Sequence, residues 1–384
     1  MGAGAVAQPR LPVSCGDDPT DRTEGLLWGA MVGDALGGPY EFQGQRPLEP
    51  AHHLPRGGDQ WREIVRATVN MDAYARTAEP YGHWDTAPGS TTDDSRFKLL
   101  YLAAREDARK ASDVAGSDVV GSDVAARMDS LLLAVASDQG QAWSSLQSAW
   151  LYEFLGPVRH DRGLEDAPSW PQGRMWGGLS TMAGQMPYLV EACYWPGEPE
   201  AAYRFVYEAN RLDNGMGLDM TSMIVAGLAH ALTDTATFAG AVDVMRRTDP
   251  YGYAAVPWVP RASSAWLTVG QEIGRRAGSL AALYSELERV LDATTWWEAR
   301  VPLTVVAAAM TYAEEDPVLT MGIILGFGHD TDSYLQLAGA FLGALGGVEV
   351  FPPAWVAAVA EGHRRFTHAW LERVYQHSGG AATN

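Results

Sequence analysis

The chain has 384 residues, 47% of them hydrophobic and 14 of them tryptophan, so it is long enough to bury a large core. Charged residues make up 20% of the chain, which is below the fraction typical of disordered proteins. The formal net charge of -19 argues against sequence-independent nucleic-acid binding, because such binding needs basic patches that neutralise phosphates. The same acidic balance suits a cation-binding protein in which several carboxylates converge.

The cysteine count and the N-terminal residues bear on the cellular compartment. Cys15 and Cys193 are the two cysteines, and they favour neither a disulfide framework nor a cysteine-based metal site. Residues 1–21 have no cationic start and no continuous apolar core, so they do not predict a signal peptide. No stretch reaches the roughly 18 uninterrupted apolar residues that a membrane span needs. We therefore expect a cytoplasmic protein with no membrane partner.

The first predicted elements follow a flexible leader over residues 1–23. In GLLWGAMVGDALGG, the apolar residues Leu27, Met31 and Ala35 have helical spacing. The many glycines and alanines of this stretch predict a helix that its neighbours approach closely, because glycine in an exposed helix only lowers stability. Residues 43–90 are rich in Pro, Gly, His and charge, and we predict a long irregular connection, a type of loop that tends to be functional.

A helix over 91–110 comes next, with Phe97 and Leu100 in its apolar stripe. The Gly-Ser-Asp-Val repetition in SDVAGSDVVGSDVA is interpreted as a surface insertion or a loosely capped turn. Helical patterning resumes over about 127–155 and is followed by a loop rich in Pro, Gly and Trp.

The remainder of the chain is predicted to be helix after helix. The predicted spans are GEPEAAYRFVYEANRL, DMTSMIVAGLAHAL with Asp219 as its N-cap, 264–277, 279–293, 296–313, 316–326, DSYLQLAGAFLGALGG and 352–376. Nothing alternates with period two for long enough to require a sheet, so the predicted fold class is all-α. No linker separates two cores, and we predict one domain over 24–376 with a flexible tail at 377–384.

Three acidic clusters lie at the edges of predicted helices. They are Thr92-Asp93-Asp94-Ser95, Asp330-Thr331-Asp332-Ser333, and Glu41 in GGPYEF. Hard divalent cations such as Mg²⁺ prefer carboxylate and hydroxyl oxygens, so clusters distant in sequence can fold together around one or two ions. Either of the two aspartate clusters alone is better explained by helix capping, because Ser, Thr and Asp are the favoured N-caps and acids suit the helix dipole.

Taken together and in order, three blocks resemble the ADP-ribosylglycohydrolase family over roughly residues 24–350: GLLWGAMVGDALGGPYEF, PGSTTDDS and GHDTDSYLQLAGAFLGALGG. The resemblance implies a single-domain orthogonal multi-helix bundle with a binuclear magnesium centre, in which Mn²⁺ is an alternative ion. The metal ligands that it implies are Thr92, Asp93, Asp94, Asp330, Asp332 and Ser333. It also implies that Glu41, Asp93 and Asp332 are catalytic, with Glu41 as the leading candidate for the base or a gating ligand.

The resemblance also indicates where the organic ligand binds, and here the sequence departs from the family. Gly177, Gly178, Leu179 and Ser180, in WGGLSTM, occupy the place of a Gly-rich segment that contacts ribose or phosphates, although the usual Gly-Asn-Gly pattern is absent. Ser333 stands where Thr is usual. His329 stands where Gly or Asn is common, and either binds a ligand phosphate or caps the helix.

Three functions stay open from the sequence. The first is Mg²⁺-dependent hydrolysis at C1 of an ADP-ribosyl group, carried by a modified protein or a related conjugate. The second keeps the metal centre but acts on a small NAD-derived or nucleoside-like N-glycoside. The third is an inactive ADP-ribose-binding protein. The expected partner is therefore an ADP-ribosylated protein or an ADP-ribose-like small molecule.

Two other features have a structural and a functional interpretation. Asp34 falls on the apolar stripe of the first predicted helix and is interpreted as a hydrogen-bonded structural acid. Trp296 and Trp297 are interpreted as core residues, with a stacking platform for adenine as the alternative.

Overall fold

The structure is a computed structural model that describes most of the chain. It covers residues 15–17, 20–42, 48–71, 87–115, 118–137, 155–156, 158–160, 162–163, 177–258, 261–293 and 295–377. Within these ranges helices are the regular secondary structure and no strand occurs, apart from one isolated bridge between Thr181 and Glu298. The predicted all-α class is confirmed.

The helices are numbered here in chain order. The first group comprises α1 (Asp21–Gly37), α2 (Asp59–Thr68), α3 (Asp93–Ala115), α4 (Gly121–Ser137), α5 (Gln185–Tyr188), α6 (Pro199–Ala209) and α7 (Gly215–Ala231). The second group comprises α8 (Phe238–Arg247), α9 (Ala262–Arg276), α10 (Leu280–Leu291), α11 (Arg300–Tyr312), α12 (Pro317–Phe327), α13 (Thr331–Gly346), α14 (Pro353–Gly362) and α15 (His368–His377). The helices predicted after residue 197 are confirmed, with ends that differ by a few residues.

The packing of α1 along α13 brings the first and last motif blocks together. Glycines face each other across this interface, so that a Cβ added at Gly29 would overlap the carbonyl group of Gly339, and one added at Gly339 would overlap that of Gly29. Since no side chain separates the two backbones, the helices approach closely, as predicted for α1. At the end of this interface Gly37 lies against the backbone of Asp332.

The predicted irregular connection over 43–90 is wrong in its centre, where the structure has α2. Trp61 and Val65, four residues apart, are buried on one face of this helix. Val65 packs against Gly322 of α12, where there is no side chain to keep the helices apart. This helix was not predicted because its periodic stretch is short and the residues on both sides of it are rich in Pro and Gly. Residues 43–47 and 72–86 lie outside the described part of the chain.

The Gly-Ser-Asp-Val repetition is mostly helical, which corrects its interpretation as an insertion or a turn. Helix α3 continues through the first unit to Ala115, and α4 begins in the last unit at Gly121. Burial accounts for the last unit, where Val124 is completely buried, whereas Val114 of the first unit is exposed at the end of α3. Residues 138–154 of the predicted 127–155 helix lie outside the described part.

Asp219 does not cap α7, because that helix begins at Gly215. The Asp219 carboxylate is buried and accepts hydrogen bonds from the Arg261 guanidinium, with the Nε–Oδ2 distance at 2.9 Å, and from the hydroxyls of Tyr203 and Ser263. Its partners lie far away in sequence, so spacing alone could not identify this buried ion pair.

The two cysteines form a disulfide bond in the structure, whereas the sequence favoured none. Cys15 and Cys193 are bonded, with their Cα atoms 5.6 Å apart, and Cys15 is buried although it falls within the predicted leader. The Thr20 side chain then caps α1.

The domain boundaries at residues 24 and 376 stay predictions. In the part of the chain that the structure describes, no helix is long and apolar enough to cross a membrane.

Candidate metal centre

The three acidic clusters of the sequence meet in the folded chain. Glu41, Asp330 and Asp332 form one triad, in which one carboxylate oxygen of each residue lies within 4.8 Å of the others. Asp93, Asp94 and Asp332 form a second triad by the same measure. All five residues are buried, and Asp332 belongs to both triads. Two adjacent groups of oxygen ligands that share one carboxylate are the arrangement expected of a binuclear site.

Asp34 of α1 holds the start of α3 in place. Its Oδ1 accepts hydrogen bonds from the Thr92 backbone N–H at 2.9 Å and from the Thr92 hydroxyl at 2.7 Å, and its Oδ2 accepts one from the Ser95 N–H at 2.9 Å. A side-chain acceptor for the first N–H groups of a helix is what a capping residue supplies. Asp34 is thus the hydrogen-bonded structural acid expected from the sequence, and it links α1 to the acidic start of α3.

The start of α13 is held in a similar way. The Thr331 hydroxyl donates to the carbonyl oxygen of Gly37 at 2.8 Å, and the Ser333 N–H donates to Asp332 Oδ1 at 2.9 Å. The Ser333 hydroxyl, predicted to be a metal ligand, donates to Asp94 Oδ2 at 3.1 Å. Ser333 therefore lies at the centre and bridges the two aspartate blocks directly.

Glu41 follows a 3₁₀ turn at the end of α1, and its side chain is 4% exposed. The next residue, Phe42, donates its backbone N–H to the carbonyl oxygen of His329 at 2.9 Å. This bond joins the residue after Glu41 to the residue before Asp330. It therefore holds these two members of the first triad close to each other.

Two residues near the centre were not singled out from the sequence. Lys98 Nζ donates to the carbonyl oxygen of Asp94 at 3.0 Å, and the Gln336 amide donates to Asp94 Oδ1. Lys98 follows Asp94 by four positions on α3, and Gln336 follows Asp332 by four positions on α13. This spacing places the lysine or glutamine on the same helix face as its aspartate. That spacing was the signal from which both could have been found.

Burial and mutual repulsion disfavour charge on these carboxylates. Burial raises the pKa of Asp93 to about 6, and the negative charge of Asp34 adds to the effect. Burial raises the pKa of Asp330 to about 7, although hydrogen bonds from Ser333 oppose the change. Burial also raises the pKa of Asp332 well above its usual range, with the nearby charge of Glu41 as the next cause. A bound cation would remove this repulsion.

The donor chemistry of the two triads fits a hard divalent cation. Every member offers carboxylate oxygen, and neither triad contains the sulfur or imidazole donors that softer metals prefer. The Thr92 hydroxyl donates to Asp34 and accepts from the Asp94 N–H at 3.3 Å, which leaves one of its two lone pairs for an ion. The predicted ligands are therefore together and chemically suited to Mg²⁺ or Mn²⁺.

An aromatic rim, defined as Phe42, Trp296, Trp297 and His329, lies beside Glu41 and Asp330. The His329 ring stacks on Trp296 with a centroid distance of 3.6 Å and an interplanar angle of 16°, and its Nε2 is 3.8 Å from Glu288 Oε1. Trp297 packs edge-on against Phe42 at 6.0 Å, and both rings are more than 40% exposed. The interpretation of Trp297 as a core residue is therefore wrong, because the residue is 43% exposed.

The Gly-rich segment Gly177–Ser180 approaches this rim at its C-terminal end. The Ser180 carbonyl accepts the Ala299 N–H at 2.9 Å, and the Met182 N–H donates to the Trp297 carbonyl at 3.1 Å. Gly177 and Gly178 have φ values of 65° and 86°, which residues with a Cβ rarely adopt. The C-terminal end of the segment predicted to contact the ligand is thus hydrogen-bonded to the backbone just after Trp297, whereas a Cβ at Gly177 would meet no atom within 4 Å.

The described residues form an all-helical fold around buried carboxylates that could hold a metal ion, and comparison with known families places the chain. Residues 16–382 match the family described as ADP-ribosylglycohydrolase, and the chain belongs to that family. It is therefore a glycohydrolase by family.

One solved structure that resembles the chain is described as an "ADP-ribosylglycohydrolase-related protein complex". It is 18% identical, with a TM-score of 0.48, and the match covers 93% of this chain and 98% of that one. Comparison with curated proteins finds no match.

Proposed function

We propose that this protein is a Mg²⁺-dependent hydrolase that cleaves the glycosidic bond at C1 of an ADP-ribosyl group. The observation that carries the proposal is the pair of buried carboxylate triads that share Asp332. Thr92, Asp93, Asp94, Asp330, Asp332 and Ser333 would hold two ions between them, and Glu41 completes the triad with Asp330 and Asp332. When bound, the ions would supply Lewis acidity to the site.

In the proposed reaction, a water oxygen forms a bond to C1 of the ribose while the bond from C1 to the aglycone breaks. The electron pair of that bond leaves with the aglycone, and the ribose passes through a state that resembles an oxocarbenium ion. Glu41, at the edge of the centre, is the proposed base that takes the proton from the attacking water. The negative charges of Asp93 and Asp332 would offset the positive charge that develops on the ribose.

The aromatic rim supports a ligand that contains a planar ring. Phe42 follows Glu41 directly and packs against Trp297, and both aromatic residues are more than 40% exposed. A ring of the ligand can stack on this surface while its ribose reaches the carboxylates. The adenine of ADP-ribose and the nicotinamide of an NAD-derived N-glycoside both satisfy this requirement. The second substrate class therefore stays the alternative, and an inactive ADP-ribose-binding protein is the third.

The test is to incubate the purified protein with ADP-ribosyl-arginine, ADP-ribosyl-serine, NAD and simple ribonucleosides, with Mg²⁺ or with EDTA, and to identify products by mass spectrometry. We expect Mg²⁺-dependent release of ADP-ribose, lost in Asp330→Asn and retained in Asp123→Asn, a change at an exposed residue of α4. Turnover of NAD or a nucleoside alone would favour the alternative substrate. Metal-dependent ADP-ribose binding without turnover of any compound would favour the binding protein.

A further inference from the structure

A glutamine side chain lies beside the second carboxylate triad. Gln336, on α13, is 1% exposed, and its Nε2 donates a hydrogen bond to Oδ1 of Asp94. Ser333, on the same face of that helix, donates to the other oxygen, Asp94 Oδ2, at 3.1 Å. Two side chains of α13 therefore hold a carboxylate of the Asp93–Asp94–Asp332 triad. A carboxylate has about four lone-pair positions, so Asp94 keeps the capacity to bind an ion as well.

The amide oxygen of Gln336 has no hydrogen bond. Gln336 Oε1 is shielded from solvent, and no group in the described part of the chain donates to it. From Tyr334 to Gly346 the other polar side chain of α13 is that of Tyr334, whose hydroxyl donates to the Trp296 carbonyl at 2.7 Å. A buried amide oxygen without a donor is costly, because it gives up its hydrogen bonds to water and gains none in return. Since the same amide contacts Asp94, this oxygen is placed at the triad, where a cation can bind to it.

A neutral oxygen donor suits this triad chemically. Mg²⁺ takes about six oxygen ligands, and three carboxylates that bind through one oxygen each do not complete that number. The carbonyl oxygen of a glutamine is among the ligands that hard cations accept in proteins. A further carboxylate would add to the repulsion among the buried acids, whereas an amide oxygen adds a ligand without adding charge.

We propose that Gln336 is a further ligand of the metal centre, and that its Oε1 binds the ion of the Asp93–Asp94–Asp332 triad. The hydrogen bond from Nε2 to Asp94 holds the amide at that triad, and an ion would satisfy Oε1. Gln336 lies outside the acidic motifs of the sequence, so those motifs do not identify it. The inference rests on the metal centre of the proposed function, and it does not depend on cleavage of a glycosidic bond.

The test is Mn²⁺ binding to the full chain, measured by calorimetry and by the relaxation of water protons, which reports how many waters the bound ion carries. Gln336→Met keeps the length of the side chain and removes the oxygen, whereas Gln336→Glu keeps an oxygen and removes the N–H donor. Gln336→Met should weaken one of two binding steps by at least about tenfold and leave about one more water on the ion bound in that step. Gln336→Glu should bind Mn²⁺ within about threefold of the wild type or more tightly.

Gln185→Met is the matched control. Gln185 is also 1% exposed, and its Nε2 donates to the Ala299 carbonyl at 3.3 Å, outside both triads. This variant should keep the wild-type Mn²⁺ affinity and the wild-type number of bound waters. If Gln336→Met does not fold, Gln336→Ala, which leaves room for a water, takes its place.

Two results would overturn the inference. The first is wild-type affinity with an unchanged number of bound waters in Gln336→Met. The second is an equal loss of affinity in Gln336→Met and Gln336→Glu without an added water, which would show that Gln336 acts only as a donor to Asp94.

The outcomes also separate this inference from the proposed function. A Mn²⁺ step that depends on the Gln336 oxygen, in a protein with no glycohydrolase activity, would uphold the inference and contradict the proposed function. An active glycohydrolase whose Mn²⁺ affinity does not depend on Gln336 would do the reverse. Absence of Mn²⁺ binding in the wild type would contradict both.

Discussion

Gly37, the last residue of α1, lies so close to Asp332 that a Cβ at Gly37 would overlap the Asp332 backbone N and Cα atoms. Asp332 belongs to both carboxylate triads. The position of the shared carboxylate therefore depends on a contact that only glycine permits. The geometry of the centre follows from the packing of two helix backbones, and not from the acidic motifs alone.

Gly37→Ala should displace Asp332 and weaken both metal sites together. The added methyl group has no space, and overpacking of this kind costs about 1–3 kcal/mol of unfolding free energy. Denaturant unfolding and Mn²⁺ calorimetry measure the two effects. Gly278→Ala is the control, because a Cβ at Gly278 meets no atom within 4 Å. Wild-type Mn²⁺ affinity in Gly37→Ala would show that the contact does not position Asp332.

Asp34→Ala should lower both stability and metal affinity, because it leaves the Thr92 and Ser95 N–H groups without their acceptor. We expect a loss of about 1–3 kcal/mol in unfolding free energy, the cost of buried donors without partners. Thr237→Ala removes the cap of α8, which is remote in sequence from the acidic blocks, and should lower stability without changing Mn²⁺ affinity. If the two variants affect Mn²⁺ binding equally, Asp34 has no special role in the centre.

The metal-free protein should lose stability as the pH rises from about 4 to about 7. The folded-state pKa values of Asp93, about 6, and Asp330, about 7, lie above the ordinary value of 3.8. In that window the folded chain holds more protons than the unfolded chain, so the unfolding free energy falls with increasing pH. Urea unfolding in EDTA at several pH values measures the slope.

Saturating Mg²⁺ should flatten this slope at the upper end of the window, because metal binding favours the charged carboxylates. Asp330→Asn should make the slope in EDTA shallower. Stability in EDTA that rises between pH 4 and 7 would mean that the buried carboxylates are charged in the folded, metal-free chain.

Trp297→Ala should raise the KM for the substrate about two- to tenfold and leave kcat and Mn²⁺ affinity near the wild-type values. The reason is that one aromatic stacking contact contributes about 0.5–1.5 kcal/mol, while the side chain is 43% exposed and outside both triads. Steady-state kinetics with whichever compound the product assay shows to be turned over provide the measurement. Trp258→Ala, at an 81% exposed tryptophan, is the matched control. Equal KM values for the two variants would exclude stacking on the rim.

The sequence predicts the helical class and the acidic blocks because both depend on local patterns. Helices such as α6, α9 and α10 have long periodic stretches and clear ends. The glycines of α1 also predict close packing, which the contact between Gly29 and Gly339 confirms. The residues proposed as ligands come from ordered motifs, and they meet in the fold although their roles stay predictions.

What the sequence does not predict depends on distant partners. The Asp219–Arg261 ion pair and the Cys15–Cys193 bond join residues that are far apart in sequence, and neither leaves a local pattern. Helix α2 is short and flanked by Pro and Gly, which mask its period. The burial of Lys98 follows from the packing of α3 in the core, whereas an isolated lysine in a helix is usually exposed.

The central claim is that Asp332 serves both halves of a binuclear centre, and Mn²⁺ stoichiometry tests it most directly. Equilibrium dialysis with metal analysis would compare the wild type with Asp332→Asn, Asp330→Asn and Asp93→Asn. Two ions per wild-type chain are expected, with one retained in Asp330→Asn or Asp93→Asn and neither held tightly in Asp332→Asn. If Asp332→Asn still binds one ion at wild-type affinity, the two triads do not share this ligand and the account is wrong.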